Sequence, residues 1–181
     1  MSPDMESAYQ YLERTLVEEL RRALRAGDKS LMGVVLNALL AWPECCFRPE
    51  TVRHPHTKSV LLSLPALYGN QEMTPKEGAL LERVRREAAH GRRTLVYTTY
   101  TGTRDTSARL KALLDQAGLR SAVLRSSVCA EKREDWVMEQ VDRGIDALVC
   151  NPELVKTGLD MLEFPTILFM QTGYNVYTLQ Q

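Results

Sequence analysis

The sequence predicts an α/β domain built on a parallel sheet with helices on both faces, preceded by a helical segment. Three observations predict it. Short apolar runs recur along the second half: TLVYT at 94–98, SAVL at 121–124, DALVC at 146–150 and TILFM at 166–170. Amphipathic stretches of helical period separate them, and Gly91, Gly118 and Gly144 stand where those helices would end. Strands that read as continuous apolar runs, rather than alternating ones, are those covered on both faces.

In chain order, residues 1–42 read as two helices forming a helical annex. Tyr9, Leu12, Leu16, Leu20 and Leu24 recur at three- and four-residue spacing between Glu and Arg residues, and Gly27 can close that helix. Asp28 or Ser30 can cap the second, LMGVVLNALLAW, which is apolar nearly all round and so reads as buried on most sides. Residues 43–73 are rich in Pro, His and Thr and read as a connector, with SVLLSLPAL able to supply one strand. The third part, 74–181, opens on Thr74-Pro75-Lys76-Glu77, a capping box with proline at the first helical position. Its helix runs to Gly91. The strand at 94–98 follows, then a helix over about 105–117, the strand at 121–124 and a helix over about 130–142. The strands at 146–150 and 166–170 complete the pattern.

Composition bounds the function. The 181 residues are 44% hydrophobic and 25% charged, the usual globular mix, which excludes a disordered or collagen-like chain. No apolar run approaches the ~20 residues that span a bilayer, and the N-terminus is too acidic and polar for a signal peptide, so a cytoplasmic protein is expected. Lys plus Arg total 23 and Asp plus Glu total 23, for a formal net charge of zero. Any grip on nucleic acid must then come from local patches or backbone amides, not from a bulk basic field. The four cysteines, Cys45, Cys46, Cys129 and Cys150, form no C-x-x-C pair and read as reduced core thiols. His54 and His56 flank Pro55 without further ligands at metal-binding spacing, so no metal is expected.

In parallel sheets, ligands meet the loops at the carboxyl ends of the strands. Here those loops are 98–105, 125–129, 151–160 and 171–177. None carries G-x-x-x-x-G-K-S/T, G-x-G-x-x-G or G-x-S-x-G, so no self-sufficient phosphate cradle or nucleophile elbow is present. Cys150 at a strand end lacks the arginine that a phosphatase thiolate needs six positions on; that position is Lys156, and Glu153 between them would repel phosphate. No histidine lies in these loops, and no catalytic residue is assigned. What they do hold is hydroxyls and small residues. Thr98, Thr99, Thr101 and Thr103 surround Gly102 between a strand and a helix, an arrangement that serves either as a phosphate grip or as plain helix capping. Lys156, Thr157, Gly158 and Asp160 follow another strand, where a turn with a helix cap would look the same.

Taken together, residues 74–181 resemble the C-terminal RecA-like lobe of superfamily 2 helicases and translocases, on the Swi/Snf-like side of that group. GRRTLVYTTYTGTRD at 91–105 is similar to motif IV, with Tyr97, Thr98 and Thr101 in the places of its aromatic, its first hydroxyl residue and its later threonine. EKREDWVMEQVDRGIDALVC at 131–150 resembles the family's arginine-led helix and following strand, with Arg133 and Trp136 in that helix. NPELVKTGLDM at 151–161 is similar to motif V, whose Gly-Leu-Asp core falls on Gly158, Leu159 and Asp160. The family's usual glycine after the strand at 121–124 is replaced by Arg125-Ser126-Ser127, so serine hydroxyls stand where the family offers backbone.

The resemblance implies a RecA-like sheet of P-loop NTPase type that lacks a P-loop of its own. It assigns nucleic-acid contacts to Thr98, Thr101, Asn151 and Thr157, and nucleotide contacts, shared with a partner lobe, to Gly158 and Asp160. The sequence ends at Gln181 just where motif VI would begin, and the P-loop and magnesium-binding motifs belong to an N-terminal RecA-like lobe outside it. It therefore implies an excised second lobe. ATP and Mg²⁺ would serve only the two-lobe parent, the chain by itself would not hydrolyse ATP, and the partner would be nucleic acid, double-stranded DNA by the Swi/Snf-like tilt. Two other readings are open: a doubly wound nucleotide-sugar or small-ligand domain, and a non-enzymatic module whose N-terminal helices dock a partner. In the last case an exposed apolar face on LMGVVLNALLAW would show as self-association.

Overall fold

The computed structural model of the chain describes residues 1–69, 72–102, 104–155 and 159–171. The chain divides into two compact units, Met1–Pro75 and Lys76–Gln181.

In the first unit, α1 (Pro3–Arg25) begins at Ser2, whose hydroxyl accepts a hydrogen bond from the Met5 amide, with Pro3 at the first helical position. Asp4 and Glu6 lie in its first turn and Arg22 and Arg25 in its last, each sign at the end of the helix dipole that favours it. It ends in a Schellman motif: Gly27 takes φ +80°, its amide reaches Leu24 O, and the Asp28 amide reaches Ala23 O. α2 (Leu31–Cys45) follows. It runs three residues past Trp42, through Pro43, because a proline in the last turn forfeits a single helical hydrogen bond.

The stretch expected as a connector is structured. It carries an antiparallel hairpin of β1 (Glu50–Arg53) and β2 (Val60–Leu64), two strands where the sequence offered one. Val52 and Leu62 face each other in the register and are buried with Leu12 and Leu16 of α1 and Val35 and Trp42 of α2. The hairpin is also tied to the helices by His54, whose Nε2 lies 3.3 Å from Asp28 Oδ2.

A second difference concerns α2. The all-round apolar pattern predicts burial on most sides, yet Met32, Leu36 and Leu40 are exposed. Two helices and one hairpin provide only enough surface to cover the side bearing Leu31, Val35, Ala38 and Trp42.

The second unit is the predicted α/β layer structure: a four-stranded parallel sheet flanked by helices, an arrangement consistent with a RecA-like fold. Its elements are α3 (Pro75–Ala89), β3 (Thr94–Tyr97), α4 (Thr106–Gln116), β4 (Ser121–Leu124), α5 (Arg133–Asp142), β5 (Ala147–Cys150) and β6 (Thr166–Phe169). The strand order is β4-β5-β3-β6, all parallel. Period-two alternation sends Val96 and Val149 into one core with Leu80, Val84, Leu110 and Leu114 of α3 and α4. It sends Leu95 and Leu148 into the opposite core with Val137 and Val141 of α5. Each such side chain, fully removed from water, contributes roughly 1.5–3 kcal/mol.

Chain direction then locates the site. After β3 the chain crosses toward one edge of the sheet, to β4; after the adjacent β5 it crosses toward the other, to β6. Loops that leave neighbouring strands in opposite directions open a crevice at their carboxyl ends.

Three of the cysteines, Cys45, Cys46 and Cys150, are buried as expected, but Cys129 is exposed in the loop after β4. Among the described residues no helix is long and apolar enough to cross a membrane.

Candidate functional site

The carboxyl ends of β3, β4 and β5 surround a cleft of about 280 Å³. Thr101 lines it from the loop after β3, Arg125, Ser126 and Ser127 from the loop after β4, and Asn151, Glu153 and Leu154 from the loop after β5; Ser107 of α4 and Leu124 complete the wall. Two residues that the resemblance singled out, 50 positions apart in sequence, meet here. The Asn151 side-chain amide donates to Thr101 Oγ1 at 3.3 Å and to Thr99 O at 3.4 Å, while its Oδ1 accepts from the Glu153 amide at 3.0 Å. Asn151 thus holds both its own turn, residues 152–154, and the loop after β3.

Thr98 is placed differently from expectation. It is fully buried, and its backbone amide extends the ladder to Cys150 O. Its hydroxyl lies 2.5 Å from the Thr106 hydroxyl and donates to Gln171 Oε1 at 2.9 Å. The same Gln171 oxygen accepts the Thr99 amide at 2.9 Å. Thr98 therefore fixes the loop from beneath and has no surface to offer a phosphate. The parity of the strand explains this: Thr98 lies two residues beyond Val96 and points to the same side, under the first turn of α4.

The start of α4 also has an internal occupant. Asp105 is its N-cap, and one carboxylate oxygen accepts from the amides of Ser107 and Ala108 and from the Ser107 hydroxyl. The Thr106 amide goes to Tyr100 O at 2.8 Å. Of the two uses that the threonine-rich loop allowed, the amides at this helix start serve capping. The other Asp105 oxygen meets Arg125 Nη1 at 2.9 Å. Burial pushes the Asp105 pKa upward, but the bonds from Ser107, Arg125 and Ala108 outweigh it and leave the carboxyl below its ordinary range.

Arg133 ties two rims of the site together. Its Nε donates to Val128 O at 3.2 Å and its Nη1 to Leu154 O at 3.1 Å. Trp136 is half-buried against the α5 core. Asp160 is exposed, with Oδ1 accepting from the Leu162 amide at 3.3 Å in a local turn. Lys156, Thr157 and Gly158 lie outside the described residues, as do Thr103 and the part of the last loop from 172 onward. Cys150 is fully buried, and burial pushes its thiol up to about 12, so no thiolate nucleophile is available at that strand end. The described residues contain no group of three or more His, Cys, Asp or Glu that could hold a metal ion.

Chemically, the cleft presents hydroxyls, an amide and one guanidinium paired with Asp105, with Glu153 among its lining. This is a surface for hydrogen bonding to an extended polar ligand. The sequence did not single out Gln171 or Thr106 as organisers of the loop; the parity of β3 carried the signal for Thr106, whereas nothing local marks Gln171. Comparison with protein-family models and with curated proteins finds no match to this chain.

Proposed function

We propose that the unit Lys76–Gln181 is the second motor lobe of an ATP-dependent nucleic-acid helicase or translocase of superfamily 2, with duplex DNA as its track. One observation carries the reading: Thr101 and Asn151, assigned to nucleic acid by resemblance to two separate motifs, are hydrogen-bonded to each other in one cleft at the carboxyl edge of the sheet. In this role the Thr101 hydroxyl, the Asn151 amide and the hydroxyls of Ser126 and Ser127 bond backbone phosphate oxygens of one strand. Arg125 supplies the local positive charge when its bond to Asp105 exchanges for a phosphate. In this reading Gly158 and Asp160 would meet ATP and Mg²⁺ held by a partner lobe, while Thr157 would join the contacts to the strand. Positioning and closure of the two lobes, not a nucleophile on this chain, would drive the cycle.

Binding of a fluorescent DNA duplex to this chain, followed by anisotropy, tests the reading. Affinity should be weak, with a shallow salt dependence that reflects about two or three phosphate contacts. Thr101→Ala and Asn151→Ala should each weaken it by about three- to tenfold, the worth of one or two hydrogen bonds. Binding that ignores both substitutions would remove the support for this cleft as the track. A second reading, a small-ligand site, is favoured by Glu153, whose carboxylate suits sugar hydroxyls better than phosphodiesters. Saturable binding of a nucleotide-sugar that duplex DNA does not displace would select it.

A further inference from the structure

The N-cap of α4 carries more than a cap requires. One Asp105 oxygen, Oδ1, accepts from the amides of Ser107 and Ala108 and from the Ser107 hydroxyl, and that completes the cap. Serine, threonine or asparagine would serve there as well. What the carboxylate adds is its second oxygen, Oδ2, which accepts from Arg125 Nη1 at 2.9 Å. Arg125 is the one cationic residue among those lining the cleft, and Asp105 is the one described partner of its guanidinium. The pair also has a particular place. Asp105 lies in the loop after β3 and Arg125 follows β4, strands on either side of β5, so the contact straps together two loops that flank the turn of Asn151. Resting on the reading of this cleft as a phosphate-binding track, we propose that Asp105 is an autoinhibitory latch. It competes with the ligand's phosphate for the Arg125 guanidinium and sets the affinity of the cleft below what its donors allow.

Charge and exposure fit this competition. The Arg125 and Asp105 side chains are 46% and 29% exposed, so the pair opens without stranding a buried charge. A phosphate oxygen offers the guanidinium the same kind of charge-assisted bond that the carboxylate does. With the pair closed, a phosphate at Thr101, Asn151, Ser126 and Ser127 meets neutral donors alone. With it open, the phosphate meets a cation as well, while Asp105 keeps capping α4 through Oδ1. The exchange therefore moves Arg125 and leaves the helix start in place. Because exposed ion pairs are weak, the latch is a modest brake, and removing it should tighten binding by about two- to fivefold.

Asp105→Asn is a narrow test, because the cap fixes its orientation. The amide oxygen stays toward the Ser107 and Ala108 amides, and the NH2 group then faces Arg125, donor to donor. Anisotropy of a fluorescent DNA duplex with the full chain should show about two- to fivefold tighter binding for Asp105→Asn. Asp105→Ser, which keeps a capping hydroxyl, should match it, and urea midpoints close to that of the native chain show that α4 is intact. In an Arg125→Ala background the gain should vanish. Losing one negative charge helps any polyanion whether or not Arg125 is present, so the coupling between the two substitutions is what reads the latch. A gain of equal size without Arg125, or no gain in either capped variant, overturns the proposal. Pyrophosphate binding, followed by NMR shifts of the Ser126 and Ser127 amides, separates the latch from the track. If duplex DNA binds neither chain while pyrophosphate binds Asp105→Asn more tightly than the native chain, the latch stands and the track reading falls. If DNA binds and Asp105→Asn gains nothing, the track stands and the latch falls. Silence toward both ligands overturns both.

Discussion

The two units solve the same problem with different means. The unit Lys76–Gln181 sandwiches a sheet between helices, so apolar side chains on both faces of β3 and β5 find partners. The unit Met1–Pro75 stacks two helices on a hairpin, and one side of its most apolar helix is left facing solvent. A sheet covered on both faces can use every residue of a short apolar strand. A helix packed from one direction can use only part of its circumference. The same hydrophobic richness therefore closes a core in one unit and leaves a surface in the other.

The largest effect that separates them comes from an ion pair confined to the second unit. Arg109 of α4 meets Glu77 of α3 through two parallel bonds, Nε to Oε1 at 2.5 Å and Nη2 to Oε2 at 3.0 Å, with both side chains under 10% exposed. Removing one partner leaves the other charge buried. Glu77→Ala should therefore destabilise this unit by about 3–5 kcal/mol, whereas Glu77→Met/Arg109→Met together should cost far less. Urea unfolding followed by tryptophan fluorescence resolves the units, because Trp42 reports the first and Trp136 the second. The Trp136 transition should move and the Trp42 transition should stay; movement of both together would mean that the units unfold as one.

How far the sequence disclosed each unit follows from the same contrast. All four strands of the second unit were legible as short apolar runs that no helix that short competes with: β3 and β5 are buried on both faces, while the edge strands β4 and β6 keep the apolar run though they are only partly covered. β1 was not legible: ETVR is polar at three of its four positions, and only Val52 turns inward. The site was legible as a set of loops but not as a set of side-chain directions. Thr98 and Thr101 look alike in the sequence, yet one is fully buried and the other lines the cleft. Only strand parity separates them, and it holds only as far as the ladder continues, here one residue past β3 to the bond between Thr98 N and Cys150 O. Gln171 could not have been found, since its role depends on β6 lying beside β3, a pairing between segments some 70 residues apart.

A smaller effect sharpens the difference between holding a loop and touching a ligand. Thr98→Val preserves shape but removes the hydroxyl that lies between Thr106 and Gln171. It should cost about 1–2 kcal/mol of stability in the second unit. It should also lower DNA affinity only in proportion to the loosened loop. Thr101→Ala should do the reverse, lowering affinity at unchanged stability. Urea midpoints measured beside anisotropy separate the two patterns. Equal effects of both substitutions on affinity, with no stability loss for Thr98→Val, would place Thr98 at the ligand after all.

The smallest effect is on pH dependence. The Arg92 guanidinium and the Thr166 hydroxyl both donate to Glu87 Oε2, at 2.6 and 3.0 Å, and hold its carboxyl down to about 2. A carboxylate with a depressed folded pKa contributes stability that is complete above its unfolded value, near 4.5, and is lost as pH falls toward 2. These bonds tie the end of α3 and the segment after it to β6, so acid should weaken the second unit across that window. Glu87→Gln keeps the side-chain shape and removes the titration. Its urea midpoint should lie below that of the native chain at neutral pH and converge with it as pH falls from about 4.5 toward 2. The first unit has its own depressed carboxyl in Asp28, held down chiefly by the bond it accepts from the Ser30 amide, with His54 adding to it. Glu87→Gln must leave the acid limb of the Trp42 transition in place. If that limb flattened as well, Glu87 would be acting on both units, and the contrast between a closed core and an open one would not extend to their stability.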